Sequence, residues 1–328
     1  MIYLLLKQYP NVCMAIGVLF TFALTGLLIY KLMDKLPRDG GREFAVEGIL
    51  SKGKPRGAGI IMIPCFILGV LLFSSVFKMA LGYMVEILIY LVLIFVEMIT
   101  GYLDDKAEKP WSRLKKGMMD LVVSILLAIT YIYSNGSSIH IQNSEFVLPI
   151  WLMGLIVVAL CWGMINVTNC ADGVDGLSST LVMTTLVSFI IADIQFRQMH
   201  GFRYLLIFFV CILLAYLLFN AGPSILMMGD AGSRAMGIFL CITALKSGHM
   251  LLLVPFAIVI ILDGGLGLFK VSVIKVTKKQ NFMNKIRTPL HDHVRKNFEK
   301  GWSNNQCVTR FWIIQVVISI ATIYIFCR

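Results

Sequence analysis

Two adjacent aspartates, Asp104 and Asp105, come directly after a long apolar run. Unpaired, dehydrated carboxylates at a membrane boundary are costly, so a paired or liganded role is expected. Their oxygens suit Mg²⁺, a hard cation, and one carboxylate could instead act as a general base toward a phosphate or hydroxyl. The structural alternative is a solvated helix end neutralised by Lys106 or Lys109.

A second polar segment links two later apolar runs and reads Asn166-Val-Thr-Asn169-Cys-Ala-Asp172-Gly-Val-Asp175-Gly. Its four amide or carboxylate side chains can accept hydrogen bonds from a sugar or a base. Main-chain N–H groups at the start of the next helix can bind phosphate. An Asx-rich turn with a helix N-cap is the alternative, although ordinary turns seldom need so many Asx residues.

Two further segments carry groups that suit a metal or phosphate. Asp230 stands between glycines in the loop Met228-Gly-Asp-Ala-Gly-Ser, ten residues after Asn220, and can approach a metal–diphosphate closely. His291 and His293 flank Asp292 in a basic loop of about forty residues, where imidazoles can hydrogen-bond phosphate. A capped loop and a solvated basic loop are the alternatives; zinc is disfavoured because no Cys or third His lies nearby.

Several lysines are candidate substrate contacts. Lys52 lies in the glycine-rich segment Ser51-Lys-Gly-Lys-Pro-Arg-Gly-Ala-Gly59, which resembles a phosphate-handling loop without the Walker spacing. Lys115 and Lys116 follow the aspartate pair. The alternative for such basic segments is the anchoring of a membrane protein on its cytoplasmic side.

The composition predicts that membrane helices position these segments. The chain has 328 residues, 58% of them hydrophobic and only 14% charged, with a mean hydropathy of +0.84. A soluble fold of this length cannot bury so much apolar surface. An ordinary cytosolic enzyme, a disordered chain and a disulfide-stapled secreted domain are therefore excluded. We predict an all-α, polytopic membrane protein with a single domain over residues 1–328.

Ten apolar segments are candidate spans of the bilayer, for which a crossing helix needs roughly 20 residues; the eighth is short, and a re-entrant or tilted segment is its alternative. They cover residues 12–30, 57–77, 81–101, 117–134, 147–165, 177–194, 204–220, 235–245, 251–273 and 311–326. Within the ninth segment, Asp263 is an acid at a depth where acids usually face a polar cavity. The pattern gives it no specific role.

The basic residues predict the orientation of these spans. Residues 31–56, 102–116, 222–234 and 270–310 carry seven, five, one and ten of the 29 Lys and Arg residues. Basic loops favour the cytoplasmic side. We therefore expect both termini outside a bacterial inner (plasma) membrane and a cytoplasmic site. We therefore attribute the net charge of +11 to the orientation of the protein in the membrane, and we expect no nucleic acid as a partner.

Together these segments resemble the phospho-N-acetylmuramoyl-pentapeptide transferases, within the polyprenyl-phosphate N-acetylhexosamine-1-phosphate transferases. The aspartate pair, the Asn-x-x-Asn-x-x-Asp-Gly-x-Asp-Gly segment and the Met-Gly-Asp-x-Gly-Ser segment occur in the family's order. Pro289-Leu-His-Asp-His293, Phe298-Glu-Lys-Gly-Trp302 and Arg310-Phe-Trp312 resemble the muramoyl-pentapeptide branch.

The resemblance implies a reaction and a set of roles. Phospho-MurNAc-pentapeptide would pass from UDP-MurNAc-pentapeptide to undecaprenyl phosphate with Mg²⁺, giving lipid I and UMP. Asp230 would be the main magnesium ligand, and Asp104 and Asp105 would serve the lipid phosphate or the metal. Contacts to the nucleotide, the catalytic pocket or the substrate would come from Asn166, Asn169, Asp172, Asp175, Asn220, His291 and His293. The oligomeric state stays open, with a homodimer as one alternative.

The sequence departs from the family pattern at several positions. The middle residue of the family's three histidines is Asp292, and about three extra residues separate His293 from Phe298. Met227 stands where an aromatic residue is expected, and Lys106 and Glu108 follow the aspartate pair where the family has an aromatic residue and a Lys. The family's Gly-Thr-Pro-Thr-Met-Gly-Gly segment reads Gly53-Lys-Pro-Arg-Gly-Ala-Gly59. These departures leave the reaction class intact and the donor sugar open.

Two alternatives follow. An N-acetylglucosamine-1-phosphate transferase for another surface polymer would share the chemistry. A membrane transporter would place acids near the middle of the bilayer, for which Glu86, Glu97 and Asp263 are candidates.

Overall fold

The computed structural model describes residues 2, 8–41, 51–75, 79–141, 144–296 and 301–326, and it is built almost entirely of helices. The backbone of His200 is included, without its side chain. Phe298, Glu299 and Lys300, which belong to the segment that resembles the family, lie outside the described residues.

The predicted all-α membrane architecture is confirmed. The helices are α1 (Pro10–Leu32), α2 (Gly59–Phe73), α3 (Leu81–Lys106), α4 (Arg113–Asn135), α5 (Ile150–Ala171), α6 (Leu177–Phe196), α7 (Arg203–Asn220), α8 (Gly229–Lys246), α9 (Leu253–Phe256), α10 (Ile258–Thr277), α11 (Leu290–Lys296) and α12 (Asn304–Phe326).

Seven of the described helices are long and apolar enough to cross a membrane: α1, α3 to α7, and α12. An eighth crossing is available if α9 with its preceding turn and α10, which meet at a bend of 86°, count as one broken span. The remaining two predicted spans are the 15-residue helix α2 and the helix α8. All ten segments are therefore helical, while the number of crossings stays a prediction.

Helix α8 lies at the centre of the bundle. Every residue from Gly229 to Leu245 is buried, and α2, α3, α5 and α6 pack around the helix. Because its surroundings are the neighbouring helices, the charged side chains of α8 need partners on those helices. The first turn, with Asp230, and the second turn, with Arg234, are therefore set among side chains of the neighbouring helices.

The structure corrects three predicted boundaries. Asp230 and Ser233 lie in the first two turns of α8 rather than in a loop, because the helix begins at Gly229. Helix α5 continues to Ala171, so Asn166 and Asn169 belong to its last turns, and only residues 172–176 form the connection. His291 and His293 lie on the short helix α11, which lies inside the predicted basic loop.

A small antiparallel hairpin, β1 (Ser138–Ile141) and β2 (Ser144–Val147), connects α4 to α5. The sequence analysis did not predict it. Its four-residue strands are too short to give a readable alternation of apolar and polar residues. The hairpin lies at the opposite end of α4 from Lys116 and is therefore remote from the predicted site.

Candidate active site

Three predicted aspartates converge where the end of α3 meets the beginning of α8. We call Asp104, Asp105 and Asp230, with Arg56 and Lys116, the aspartate centre. Glycine makes the approach possible: a Cβ atom on Gly101 of α3 would collide with the main chain of Asp230. Asp104 and Asp105 follow Gly101 by about one helical turn, so this close contact places both beside the N-terminal turn of α8.

Each oxygen of Asp230 faces a cation. Its Oδ1 lies 2.9 Å from Nη2 of Arg56, and its Oδ2 lies 2.9 Å from Nζ of Lys116. Lys116 also pairs with Asp104, whose second oxygen accepts a 2.6 Å hydrogen bond from the main-chain N–H of Trp111. Lys116 thus bridges two of the three aspartates, a pairing that the sequence analysis had expected of Lys106 or Lys109; its predicted contact with the substrate stays a prediction.

Asp105 is bound to the helix whose first turn carries Asp230. Its carboxylate accepts hydrogen bonds of 3.0 Å from the main-chain N–H groups of Asp230 and Ala231. These N–H groups belong to the first turn of α8 and have no partner within the helix. The side chain is fully buried. Asp105 therefore acts as an N-terminal cap supplied by a different helix, and it fixes the position of Asp230.

Arg56 is a site residue that the sequence analysis did not single out. Its guanidinium lies 2.7 Å from Asp105, 2.9 Å from Asp230 and 3.5 Å from Asp39. Burial alone would lower the pKa of the Arg56 guanidinium, but the charges of Asp105, Asp230 and Asp39 outweigh it and raise that pKa above its usual value. The sequence showed Arg56 as a basic residue of the glycine-rich segment, but it did not indicate which acids Arg56 would contact.

A second layer of charge lies one helical turn deeper. Arg234, one turn after Asp230, pairs with Asp120 and, at 2.9 Å, with Glu97; all three side chains are buried. Asn166 donates a 3.1 Å hydrogen bond to Asp120. Asn169 similarly donates to the Ser233 hydroxyl at 3.1 Å. The two asparagines therefore tie α5 to α4 and α8 beneath the aspartate centre.

The deep acids named for a transporter are paired. Glu97 belongs to the layer around Arg234, and Glu86 lies 2.9 Å from Lys246 at the other end of α8. Asp263 pairs with His291. Each acid thus has a basic partner on another element, which is how a membrane interior accommodates structural charges.

An open cleft of about 540 Å³ adjoins Met228, two residues before Asp230. Its lining includes the connection between α5 and α6, with Asp172 and Asp175. Asp172 accepts a 2.5 Å hydrogen bond from the Ser178 hydroxyl. Asp175 accepts one of 3.0 Å from the Ser224 main chain and lies 3.7 Å from Nζ of Lys54. Both acids still line the cleft.

Asn220 lines the same cleft with its amide already engaged. Its Oδ1 accepts a hydrogen bond from the Gly176 main chain, and its Nδ2 donates one to the Leu226 main chain, each at 2.8 Å. Asn220 thus joins the loop before α6 to the loop before α8. The structure gives it a positioning role, and the predicted substrate contact stays a prediction.

His291 is oriented by Asp263, the deep acid without an assigned role. The two oxygens of Asp263 accept 2.8 Å hydrogen bonds from the main-chain N–H and from Nδ1 of His291. The opposite ring atom, Nε2, therefore faces Gly173 at the edge of the cleft, where any Cβ atom would collide with it. A fixed Nδ1 donor leaves Nε2 as the atom that can accept a proton or a hydrogen bond.

The other predicted contacts are distributed differently. His293 points back to its own segment, where Nδ1 accepts a 3.3 Å hydrogen bond from the Arg287 main chain. Asp292 lines the cleft, 3.6 Å from Arg295. Lys115 is exposed and lies over the Trp111 ring at 3.4 Å, and Lys52 is exposed. Five predicted residues thus belong neither to the aspartate centre nor to the cleft lining: Lys52, Lys115, Asn166, Asn169 and His293.

Comparisons with known proteins show which proteins this chain is similar to. The model of glycosyl transferase family 4 matches residues 87–248. A phospho-N-acetylmuramoyl-pentapeptide-transferase of Treponema pallidum (strain Nichols) is 36% identical over 338 aligned positions, covering 96% of this chain and 90% of the relative. Proteins of the same name from Wolbachia sp. subsp. Drosophila simulans (strain wRi) and Helicobacter pylori (strain 26695 / ATCC 700392) are 28% and 27% identical. These alignments cover 94% and 95% of this chain, and 98% and 93% of the relatives.

Proposed function

The chain belongs to the phospho-N-acetylmuramoyl-pentapeptide-transferase family, and we propose that it makes lipid I in peptidoglycan synthesis. In this reaction phospho-MurNAc-pentapeptide passes from UDP-MurNAc-pentapeptide to undecaprenyl phosphate. A diphosphate bond forms between the sugar phosphate and the lipid phosphate, and the bond to UMP breaks. The observation that carries the proposal is the convergence of Asp104, Asp105 and Asp230 with two cations beside an open polar cleft.

The aspartate centre suits a divalent cation. Among the described side chains, four carboxylates, including Asp39, face only Arg56 and Lys116, so two negative charges are left without a cation. Within the described residues, no three His, Cys, Asp or Glu side chains form a complete metal site. Mg²⁺ usually takes one or two carboxylates together with substrate phosphates, so this donor set fits it.

We propose Asp230 as the principal magnesium ligand, with Asp104 beside it. Bound Mg²⁺ would neutralise charge on the phosphates. The protein's own contribution is to hold Asp230 through the cap that Asp105 supplies and to present Lys116 to anionic groups. Both oxygens of Asp105 hold the start of α8, whereas one oxygen of Asp104 faces the partly exposed Lys116 side chain, so we propose Asp104 for a proton transfer at the lipid phosphate.

The cleft is proposed to take the donor. Its acids and amides can bind hydroxyl and N–H groups of a nucleotide or sugar, and His291 presents Nε2 at its edge. Lys54, which the sequence analysis left out, lies beside Asp175 and offers a cation to phosphate. The acceptor's lipid tail requires the reaction to occur at the membrane boundary, where the bundle ends.

Release of UMP tests the reaction directly. Purified protein would be given UDP-MurNAc-pentapeptide, undecaprenyl phosphate and Mg²⁺, and UMP and lipid I would be measured. We expect both products in equal amounts and none without the lipid phosphate. A parallel reaction with UDP-GlcNAc tests the alternative donor. If UMP were released with UDP-GlcNAc and not with UDP-MurNAc-pentapeptide, the chain would serve the synthesis of another surface polymer. Transport activity without UMP release would contradict a transferase.

We further propose that the aspartate centre faces the cytoplasm, with both termini outside. The basic loops support this orientation. In spheroplasts, a membrane-impermeant thiol reagent should label Glu145→Cys, in the hairpin, and should not label Lys279→Cys, in the basic loop after α10. Both positions are exposed, and the parent protein controls for its own cysteines. The reverse labelling pattern would contradict the orientation.

A further inference from the structure

Arg56 joins four separate parts of the chain through one side chain. Asp39 lies after α1, Asp105 at the end of α3 and Asp230 at the start of α8, and the guanidinium lies within 3.5 Å of all three carboxylates. The main chain of Arg56 is also fixed, because its N–H donates to Pro37 at 2.8 Å and it forms a bridge with Met227. The position of the guanidinium is therefore built into the fold.

The charge of this side chain cannot be removed by titration. An arginine stays protonated at any physiological pH and offers a planar fork that matches several carboxylates at once. Among the described side chains, Asp104 and Asp230 also pair with Lys116, whereas Asp39 and Asp105 have Arg56 as their cation. Arg56 therefore neutralises part of the repulsion among the aspartates when no other cation is present.

The same guanidinium occupies an oxygen that a metal ion would need. Arg56 covers Oδ1 of Asp230 while Lys116 covers Oδ2. A divalent cation that binds Asp230 must displace or share with one of them, against the repulsion of both charges. The segment that Arg56 belongs to resembles a family segment with Thr at this position, and Thr has neither the charge nor the reach.

We propose that Arg56 is a resident cation of the aspartate centre, which holds Asp105 and Asp230 in place without metal and lowers the affinity of Asp230 for divalent cations. The inference deepens the proposed function and rests on its assignment of Asp230 as the metal ligand. Its consequence is that this chain keeps an assembled site at low magnesium and needs more magnesium to load it. Arg56 is thus a positioning residue that sets the metal requirement.

Metal binding without substrates tests the inference. Mn²⁺ would replace Mg²⁺ as a paramagnetic probe, and free Mn²⁺ would be measured by electron paramagnetic resonance during titration of the parent, Arg56→Thr, Arg56→Lys and Asp230→Asn proteins. We expect Arg56→Thr to bind Mn²⁺ at least about tenfold more tightly, because a neighbouring positive charge is lost. Arg56→Lys keeps the charge and should stay within about threefold of the parent.

Thermal unfolding provides the second readout. Without metal, Arg56→Thr should unfold at a lower temperature than the parent, and saturating Mg²⁺ should restore most of the difference. Unchanged or weaker Mn²⁺ binding by Arg56→Thr, with binding still lost in Asp230→Asn, would overturn the role of Arg56 alone. Unchanged binding by Asp230→Asn would instead overturn the proposed metal site at Asp230.

Discussion

The aspartate centre and the cleft differ in how their polar groups are partnered. In the aspartate centre, both oxygens of Asp230 face cations and Asp105 is fully buried against main-chain N–H groups. In the cleft, Asp172, Asp175 and His291 make hydrogen bonds within the protein and also line an open volume. The first region is closed by its own charges, whereas the second is open to a ligand.

This difference indicates that the aspartate centre serves catalysis and the cleft serves substrate recognition. Dense ion pairing fixes geometry before substrate arrives, which favours catalysis by charge positioning. Partial pairing orients side chains and leaves atoms available for recognition. We therefore expect substitutions in the aspartate centre to lower kcat and substitutions in the cleft to act more on donor KM.

The most severe loss is expected for Asp230→Asn. The amide keeps the shape of the side chain but loses the charge that faces Arg56, Lys116 and the proposed Mg²⁺. UMP release at saturating Mg²⁺ should fall by at least about 10³-fold, since electrostatic stabilisation of the transition state contributes strongly to catalysis of this kind. The unfolding temperature serves as the control for folding. Activity near that of the parent would contradict the role of Asp230.

Asp104 and Asp105 sharpen the comparison within the aspartate centre. We expect Asp104→Asn to lower kcat by about 10²–10³-fold, in the range of a lost general base. Asp105→Asn should lower activity and also destabilise the fold by roughly 1–2 kcal/mol, because it weakens the cap of α8.

Urea unfolding and steady-state kinetics on the two variants distinguish these roles. A loss confined to donor KM in Asp104→Asn would place this carboxylate on the nucleotide side. Equal stability of the two variants would show that Asp105 does not fix α8.

An intermediate effect is expected for Asp263→Asn, which breaks the orientation of His291. The amide can still accept from the His291 main chain, but its N–H₂ end would oppose the Nδ1 donor. Activity should fall by about 10–100-fold, as for other groups that orient a functional histidine. His291→Gln should produce at least as large a loss. An Asp263→Asn protein as active as the parent would mean that the orientation of His291 is unimportant.

The smallest effects are expected at the lysines of the glycine-rich segment. Lys54→Ala removes contacts to Asp175 and Ser224 and should raise donor KM by about three- to tenfold, in keeping with a partly exposed ion pair and a phosphate contact. Lys52→Ala is the matched control, because Lys52 is exposed, and should change KM less than about twofold. A larger rise in donor KM for Lys52→Ala than for Lys54→Ala would support the predicted substrate contact of Lys52.

Much of the site was predictable because its polar residues contrast with the apolar spans around them. Asp104, Asp105, Asp172, Asp175, Asp230 and His291 were all named from residue type and spacing, and the structure gathers them at the aspartate centre or the cleft. An acid or imidazole at a membrane boundary is costly without a partner, so its presence in the sequence already indicates a site.

Partners were not predictable in the same way. Lys106 and Lys109 were the expected neutralising residues of the aspartate pair, whereas the structure uses Arg56 and Lys116. The direction of each side chain depends on where its helix ends and which helix it packs against. The extension of α3 to Lys106 turns Asp105 toward α8, and no local pattern contains that information.

The sequence by itself therefore determined the membrane class, the helical segments and the list of polar residues able to do chemistry, because hydrophobicity and charge are properties of single residues and short runs. Tertiary structure decided which charges meet. It placed Asp263 against His291, Arg56 among three carboxylates, and Asn220 between two loops. These contacts join residues far apart in the chain, and they form because the buried helix α8 brings the ends of its neighbours to one place.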